Sequence, residues 1–138
     1  MTDKKVYFKR GYKYQISEPF HIKLEVYPFA TIIRPFLEMD IVGNTKVLSG
    51  YAWDGASGPT YDSKNSMRGS LVHDIGYQLI RLGLISPAYK EYFDQLLRNL
   101  CVEDGMFKWR AECWRWAVLK FGKGSTRPSA EPKIEVAP

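Results

Sequence analysis

Two short stretches contain the residues that could do chemistry. The first, residues 53–59, places Asp54 after a tryptophan and before two glycines and a proline, which is typical of a tight loop. The second begins at His73, and Tyr77 follows four positions later, so the two share one face of a predicted helix. Asp74 lies about 100° round that helix from His73. One imidazole and two carboxylates could therefore converge on a hydrolytic site, with or without a metal ion.

Calcium is the first metal to consider, because it takes about six to eight oxygen ligands from carboxylates, backbone carbonyls and water. Asp54, Asp74 and the carbonyls of residues 55–58 could supply part of such a set. The alternative is that Asp54 caps a turn and Asp74 is a solvated helix residue. Zinc is not favoured, because the two histidines are far apart in the sequence and both cysteines fall on predicted helices.

His73 is either a structural residue of an amphipathic helix or a general base that takes a proton from water. Such a base often has a carboxylate that holds its far nitrogen. Asp94 is the first candidate, because it lies on the flank of the apolar stripe of the next predicted helix, and Glu91 is the second. Asp94 would otherwise be a solvated side chain. Ser57 is not favoured as a nucleophile, because its surroundings lack the nucleophile-elbow pattern of hydrolases.

The elements that must position these residues differ between the two halves of the chain. Alternating apolar and polar residues from about residue 6 to 51 predict an antiparallel sheet of about four to six strands. Helical spacing follows, with a glycine after each helix. The predicted strands lie in 12–16, 21–27, 31–33, 36–42 and 46–48, and the predicted helices over 66–82, 86–103 and 107–121. The sequence thus predicts one α+β domain over residues 1–122 and a proline-containing flexible tail over 123–138.

The third predicted helix has two interpretations. Its apolar stripe favours a packed core helix, and the stripe consists of Trp109, Cys113, Trp116, Ala117 and Phe121. Its tryptophans also alternate with lysines and arginines, which is typical of a helix at a membrane interface.

Composition narrows the classes of protein. The 138 residues carry a net charge of +5, which favours an acidic partner such as an anionic lipid surface. No basic run or nucleic-acid motif occurs, so nucleic acid is not expected, and no apolar stretch is long enough for a transmembrane helix. Cys101 and Cys113 are predicted to be buried free thiols. The absence of an apolar signal region after the N-terminus predicts synthesis in a reducing cytoplasm.

These motifs resemble a known family. The Trp-Asp-Gly-Ala-Ser run from residue 53, the His-Asp-x-x-Tyr run from His73 and a helix that ends in Lys-Phe-Gly at residues 120–122 resemble a phage and prophage family of unknown function. The resemblance covers residues 10–122. It implies a phage virion-associated or assembly protein, made in the host cytoplasm and carried in the virion, whose partners are other phage proteins.

A more distant resemblance is to bacterial secreted phospholipase A2, which has a calcium loop followed by a helix with the His-Asp-x-x-Tyr motif. It implies that His73 is the general base, that Tyr77 supports its network, and that Asp54, Gly55 through its carbonyl, and Asp74 hold calcium. Ala56 and Ser70 stand where that family has a disulfide-bonded cysteine pair.

Both families have an Asp-x-x-Phe pattern on the next helix. Asp94 fits the aspartate of this pattern, with Leu97 in place of the phenylalanine, so the resemblance gives Asp94 the role of orienting His73. Two functions follow as expectations. The first is a virion or assembly protein on a phospholipase-like scaffold, and the alternative is a calcium-dependent phospholipid ester hydrolase that uses His73.

Overall fold

Strands precede helices along the chain, as the sequence predicts. A computed structural model of the protein describes residues 2–9, 14–53 and 64–121. Within these ranges the strands are β1 (Phe8–Lys9), β2 (Tyr14–Ile16), β3 (Phe20–Lys23), β4 (Ile32–Arg34), β5 (Leu37–Met39), β6 (Asn44–Val47) and β7 (Ala52–Trp53). The helices are α1 (Met67–Arg81), α2 (Lys90–Glu103) and α3 (Lys108–Phe121). The predicted α+β class, with antiparallel strands before three helices, is confirmed.

The described strands form two small sheets, where the sequence predicted one. The first sheet has the order β1-β2-β7 and the second the order β3-β6-β5-β4, with antiparallel pairing throughout. The chain bends between β2 and β3 at Ser17 and Glu18, before Pro19, which has no backbone N–H to donate to a ladder. β7 was not predicted as a strand, because Trp53 was assigned to the loop that follows.

Two strands are shorter than their apolar patterns predicted. β5 ends at Met39, because the Asp40 carboxylate accepts hydrogen bonds from the backbone N–H groups of Val42 at 3.0 Å and Asn44 at 2.9 Å and forms a turn. β3 ends at Lys23, although the apolar alternation continues. Beyond it, the N–H of Glu25 donates to the hydroxyl of Tyr92 on α2 rather than to a strand.

The helix ends follow the predicted signals closely. Ser86 caps a short 3₁₀ turn before α2, and its hydroxyl accepts a hydrogen bond from the N–H of Ala88 at 3.1 Å. Gly83 and Gly105 have φ angles of 73° and 103° directly after α1 and α2, a conformation that glycine adopts at little cost. The predicted end of α3 at Gly122 and the tail 123–138 lie outside the described residues.

Helix α1 lies at the centre and packs on both the sheets and α2. Its apolar stripe is fully buried, and the same core includes the inward residues of both sheets. Gly76 faces the ring of Phe93 on α2 so closely that a β-carbon at position 76 would overlap the ring. This close approach brings the neighbouring polar side chains of α1 and α2 into contact.

Helix α3 presents a different face to the core than its stripe predicted. Trp109, Cys113 and Trp116 are exposed, whereas Ala111 and Trp114 are buried with the α2 residues Leu97 and Cys101. The prediction was correct for Ala117, and the side chain of Phe121 lies outside the described residues. Ala111 and Trp114 therefore lie on the side of α3 that packs on α2.

Both cysteines are free and lie on helices, as predicted. Cys101 is fully buried, and burial raises its thiol pKa to about 12. Cys113 is exposed, so the prediction that it is buried was wrong. Within residues 2–9, 14–53 and 64–121, every helix is too short or too polar to cross a membrane.

Candidate active site

His73, Tyr77 and Asp94 meet at the contact between α1 and α2. One helical turn separates His73 from Tyr77, so their rings are in contact, with centres 4.0 Å apart and planes tilted by 42°. Both reach the same carboxylate oxygen. Asp94 Oδ1 lies 2.8 Å from His73 Nε2 and 2.6 Å from the Tyr77 hydroxyl. The three residues that the sequence analysis placed in one network are therefore in direct contact.

Asp94 is completely buried, so the interpretation of it as a solvated helix residue is wrong. Its second oxygen, Oδ2, accepts a hydrogen bond from Lys90 Nζ at 2.6 Å. Lys90 precedes Asp94 by one turn of α2 and also donates to the carbonyl of Val118 on α3 at 3.2 Å. Three donors from two helices thus satisfy one buried carboxylate. Glu91, the second candidate for this role, is exposed.

This arrangement determines which nitrogen of His73 is basic. A carboxylate only accepts hydrogen bonds, so Nε2 must carry the proton that it shares with Asp94. The neutral imidazole then has its lone pair on Nδ1. Asp74 is the carboxylate on that side, with Oδ1 3.9 Å from Nδ1 and the side chain about one-third exposed. The lone pair on Nδ1 therefore faces the partly exposed Asp74 carboxylate, on the opposite side of the ring from the buried Asp94.

Burial and charge act in opposite directions on both ionisable partners. Burial alone would lower the pKa of His73, but the carboxylates of Asp74 and Asp94 outweigh it, and the pKa lies above its usual 6.5. Burial would likewise raise the pKa of Asp94, but hydrogen bonds from His73, Lys90 and Tyr77 lower it below its usual value. Asp94 is thus an anion at neutral pH and His73 a strengthened base.

Tyr77 takes part as a hydrogen-bond donor. Burial, followed by its contact with the Asp94 carboxylate, raises the pKa of the Tyr77 phenol well above the usual 10. The hydroxyl therefore stays protonated and donates a hydrogen bond to Asp94, which holds the carboxylate against the His73 ring.

The strand before the predicted loop is tied to the helix that carries His73. Trp53, the last residue of β7, is buried, and its indole Nε1 donates to the hydroxyl of Ser70 at 3.2 Å. Ser70 in turn donates to the carbonyl of Met67 at 3.0 Å. These two hydrogen bonds link the end of β7 to the first turns of α1, the helix that carries His73.

The predicted calcium site is described only in part. Asp74 is the one predicted ligand among the described residues, whereas Asp54 and Gly55 lie outside them. Within residues 2–9, 14–53 and 64–121, no three His, Cys, Asp or Glu side chains are grouped so that they could hold a metal ion. Calcium binding therefore stays a prediction, with Asp74 as its one proposed carboxylate ligand among the described residues.

Lys90 is a member of the network that the sequence analysis missed. The sequence does contain a sign of this pair, because Lys90 and Asp94 are four residues apart on one helix and opposite charges at this spacing face each other. The spacing could not reveal that the pair is buried. That depends on the approach of α1 and α3, which surround Lys90 and leave its side chain 12% exposed.

Comparisons with known proteins identify no relative. No protein-family model matches the chain, no curated protein matches it significantly, and no solved structure does so.

Proposed function

We propose that the protein hydrolyses an ester bond, with His73 as the general base, and that the ester belongs to a phospholipid. The contact that carries the proposal is the 2.8 Å hydrogen bond between His73 Nε2 and the buried Asp94 carboxylate. It holds the imidazole in the tautomer in which Nδ1 is the basic nitrogen. The choice of a phospholipid rests on the resemblance of the loop and helix motifs to secreted phospholipase A2.

In the proposed reaction, Nδ1 accepts a proton from a water molecule while the water oxygen attacks the ester carbonyl carbon. The imidazolium that forms is stabilised by the anionic Asp94, which accepts the Nε2 hydrogen bond throughout. The proton then passes from Nδ1 to the leaving alkoxide, which yields a fatty acid and a lysophospholipid. Calcium held by Asp54, the Gly55 carbonyl and Asp74 would supply positive charge at the carbonyl oxygen.

Lys90 and Tyr77 support this chemistry without touching the substrate. Both donate to Asp94, so the carboxylate cannot rotate away from His73 without breaking hydrogen bonds to two other side chains. A base held in this way keeps one orientation through the reaction.

The direct test is fatty-acid release from a soluble short-chain phosphatidylglycerol, with calcium present. We expect the wild-type protein to release fatty acid and His73→Gln to lose at least about a hundredfold in rate, since general bases contribute about that much or more. Asp104→Asn provides the matched control, because it changes a carboxylate at the far end of α2. Absence of release by the wild-type protein would refute the proposal.

Calcium binding is tested separately by calorimetry on the wild-type protein and on Asp74→Asn. The proposal expects heat of binding that the substitution removes. Release of fatty acid that persists in a chelator would show that the hydrolase works without the ion.

A binding role in a phage particle is the second candidate, and an exposed apolar group on the sheet side favours it. Phe29 is fully exposed and Ile33, on the edge strand β4, is 73% exposed. Edge strands and exposed aromatic side chains are frequent contact sites in assemblies. Detection of the protein in purified particles, with loss of incorporation in Phe29→Ser/Ile33→Ser, tests this role.

A further inference from the structure

The outward surface of α3 contains two exposed tryptophans. Trp109 and Trp116 are seven residues apart, or about two turns, so they lie on the same side of the helix. They are 69% and 56% exposed. Cys113 and Lys120 lie on the same side and are also exposed. We call this group of four residues the outer face of α3.

The charge around the outer face is positive. Lys120 Nζ lies 5.8 Å from the centre of the Trp116 ring, so an ammonium group accompanies an exposed indole. The acidic residue on this side, Glu112, accepts a hydrogen bond from Arg98 Nε at 2.6 Å and is neutralised by it. Arg115 Nε donates to Gln95 on α2 at 2.7 Å and Arg110 lies 5.7 Å from the ring centre of the buried Trp114, so the exposed cations of the helix are Lys108 and Lys120. A partner of this face must therefore combine negative charge with an apolar region.

The area of the face disfavours a folded protein partner. At these exposures, two tryptophans offer on the order of 300 Å² of surface. A stable interface between two proteins buries about 800 Å² on each partner. A lipid surface has no such minimum, because exposed indoles insert individually between head groups while cations stay in the aqueous layer.

We propose that the outer face of α3 docks the protein on an anionic phospholipid bilayer. Trp109 and Trp116 enter the interfacial layer, and Lys120 with Lys108 contacts the phosphate groups. The helix lies in the plane of the membrane, with its alanine side against α2. The docking itself does not depend on the proposed hydrolysis, but it would bring a hydrolase to its substrate.

Vesicle sedimentation tests the docking independently of catalysis. The probes are vesicles of phosphatidylcholine alone and of phosphatidylcholine mixed with phosphatidylglycerol, and the protein is His73→Gln in the presence of a chelator. We expect binding to the mixed vesicles at low salt. Adding Trp109→Ser/Trp116→Ser should weaken that binding by about tenfold or more, and Lys120→Gln by about fivefold.

The matched control is Phe29→Ser/Ile33→Ser, which removes two apolar side chains on the sheet side that are more exposed than the two tryptophans. This variant should bind like its parent. Equal binding to both kinds of vesicle, or unchanged binding after Trp109→Ser/Trp116→Ser, would overturn the proposal. So would a dimer in solution that the double tryptophan substitution converts to a monomer.

The two proposals fail in different ways. If the protein does not hydrolyse the soluble substrate but binds the vesicles, the hydrolase proposal is refuted and the docking proposal stands. If the protein hydrolyses the soluble substrate but does not bind the vesicles, the docking proposal is refuted and the hydrolase proposal stands.

Discussion

Two buried charges lie on α1 and α2, and their surroundings differ in one respect. Arg68 is 2% exposed, and its guanidinium forms two hydrogen bonds of 3.1 Å with Asp104 and one of 3.1 Å with the carbonyl of Asp3. Asp94 has no exposure and accepts hydrogen bonds from three side chains. Both charges are paired, as buried charges must be.

The difference is whether a partner of the buried charge has a second basic atom that the ion pair does not use. The partners of Arg68 are carboxylates and a carbonyl, whose pairing with the guanidinium holds the N-terminal segment and the end of α2 together. Among the partners of Asp94, His73 keeps a second nitrogen beside a partly exposed carboxylate. A satisfied ion pair therefore explains the first cluster completely, whereas the second contains a positioned base.

The largest effect is expected on the free energy of unfolding when one carboxylate is substituted in each cluster. Asp94→Asn leaves the buried Lys90 without its anion and points an amide NH₂ at other donors, so we expect a loss of about 3–5 kcal/mol in the free energy of unfolding. Asp104→Asn should cost about 1.5–3 kcal/mol, because Arg68 keeps Glu103 at 3.0 Å. Urea denaturation measures both.

Hydrolysis of the soluble substrate by the same two variants distinguishes a catalytic role of Asp94 from a purely structural one. At a temperature where both variants are folded, Asp94→Asn should lose hydrolysis and Asp104→Asn should retain it. Equal activity in the two variants would show that Asp94 is a structural charge like Arg68.

The next effect concerns pH. The pKa of His73 lies above 6.5 when the protein is folded, so its contribution to stability is fully present below pH 6.5 and is lost as the pH rises through the folded value. Hydrolysis needs the neutral imidazole, so activity should rise over the same range in which that stability is lost. A structural histidine would show the first dependence without the second.

Asp74→Asn tests the cause of the raised pKa. It removes one of the two carboxylates that oppose burial, so the pKa of His73 should fall. Nuclear magnetic resonance titration of the imidazole in a chelator measures it, and His21→Gln assigns the signals, since the chain has two histidines. An unchanged pKa would mean that Asp94 alone sets the basicity of His73.

The sequence predicted most of the helices and part of the site, for physical reasons that particular residues illustrate. The ends of α1 and α2 depend on local signals at Gly83, Ser86 and Gly105, which can be read without tertiary structure. The contact of His73 with Asp94 was reached through a motif and an apolar stripe.

The features that the sequence analysis missed depend on how the elements pack against one another. The rotation of α3 places Ala111 and Trp114 against α2, so Trp109 and Trp116, which the apolar stripe favoured for the core, are exposed. The division into two sheets depends on the path of the chain after β2. The burial of Lys90 depends on two other helices, and its spacing from Asp94 gives no information about it.

The smallest expected change in the free energy of unfolding is at Lys4, whose ion pair has the same length as that of Lys90. Lys4 Nζ lies 2.6 Å from Glu103, and Lys90 Nζ lies 2.6 Å from Asp94. Lys4 is 75% exposed, whereas Lys90 is 12% exposed. Exposed pairs are screened by water and salt and contribute little, so Lys4→Gln should change the free energy of unfolding by less than about 0.5 kcal/mol.

Lys90→Gln should cost several times more, because it removes the lysine charge that pairs with the buried Asp94 carboxylate, and the cost should persist in high salt. The small effect of Lys4→Gln should vanish there. Denaturation of both variants at low and high salt measures this. If the two substitutions cost the same, the Lys90–Asp94 pair is hydrated in solution, and Asp94 is then free to release His73. The proposed base would lose the fixed orientation on which its chemistry depends.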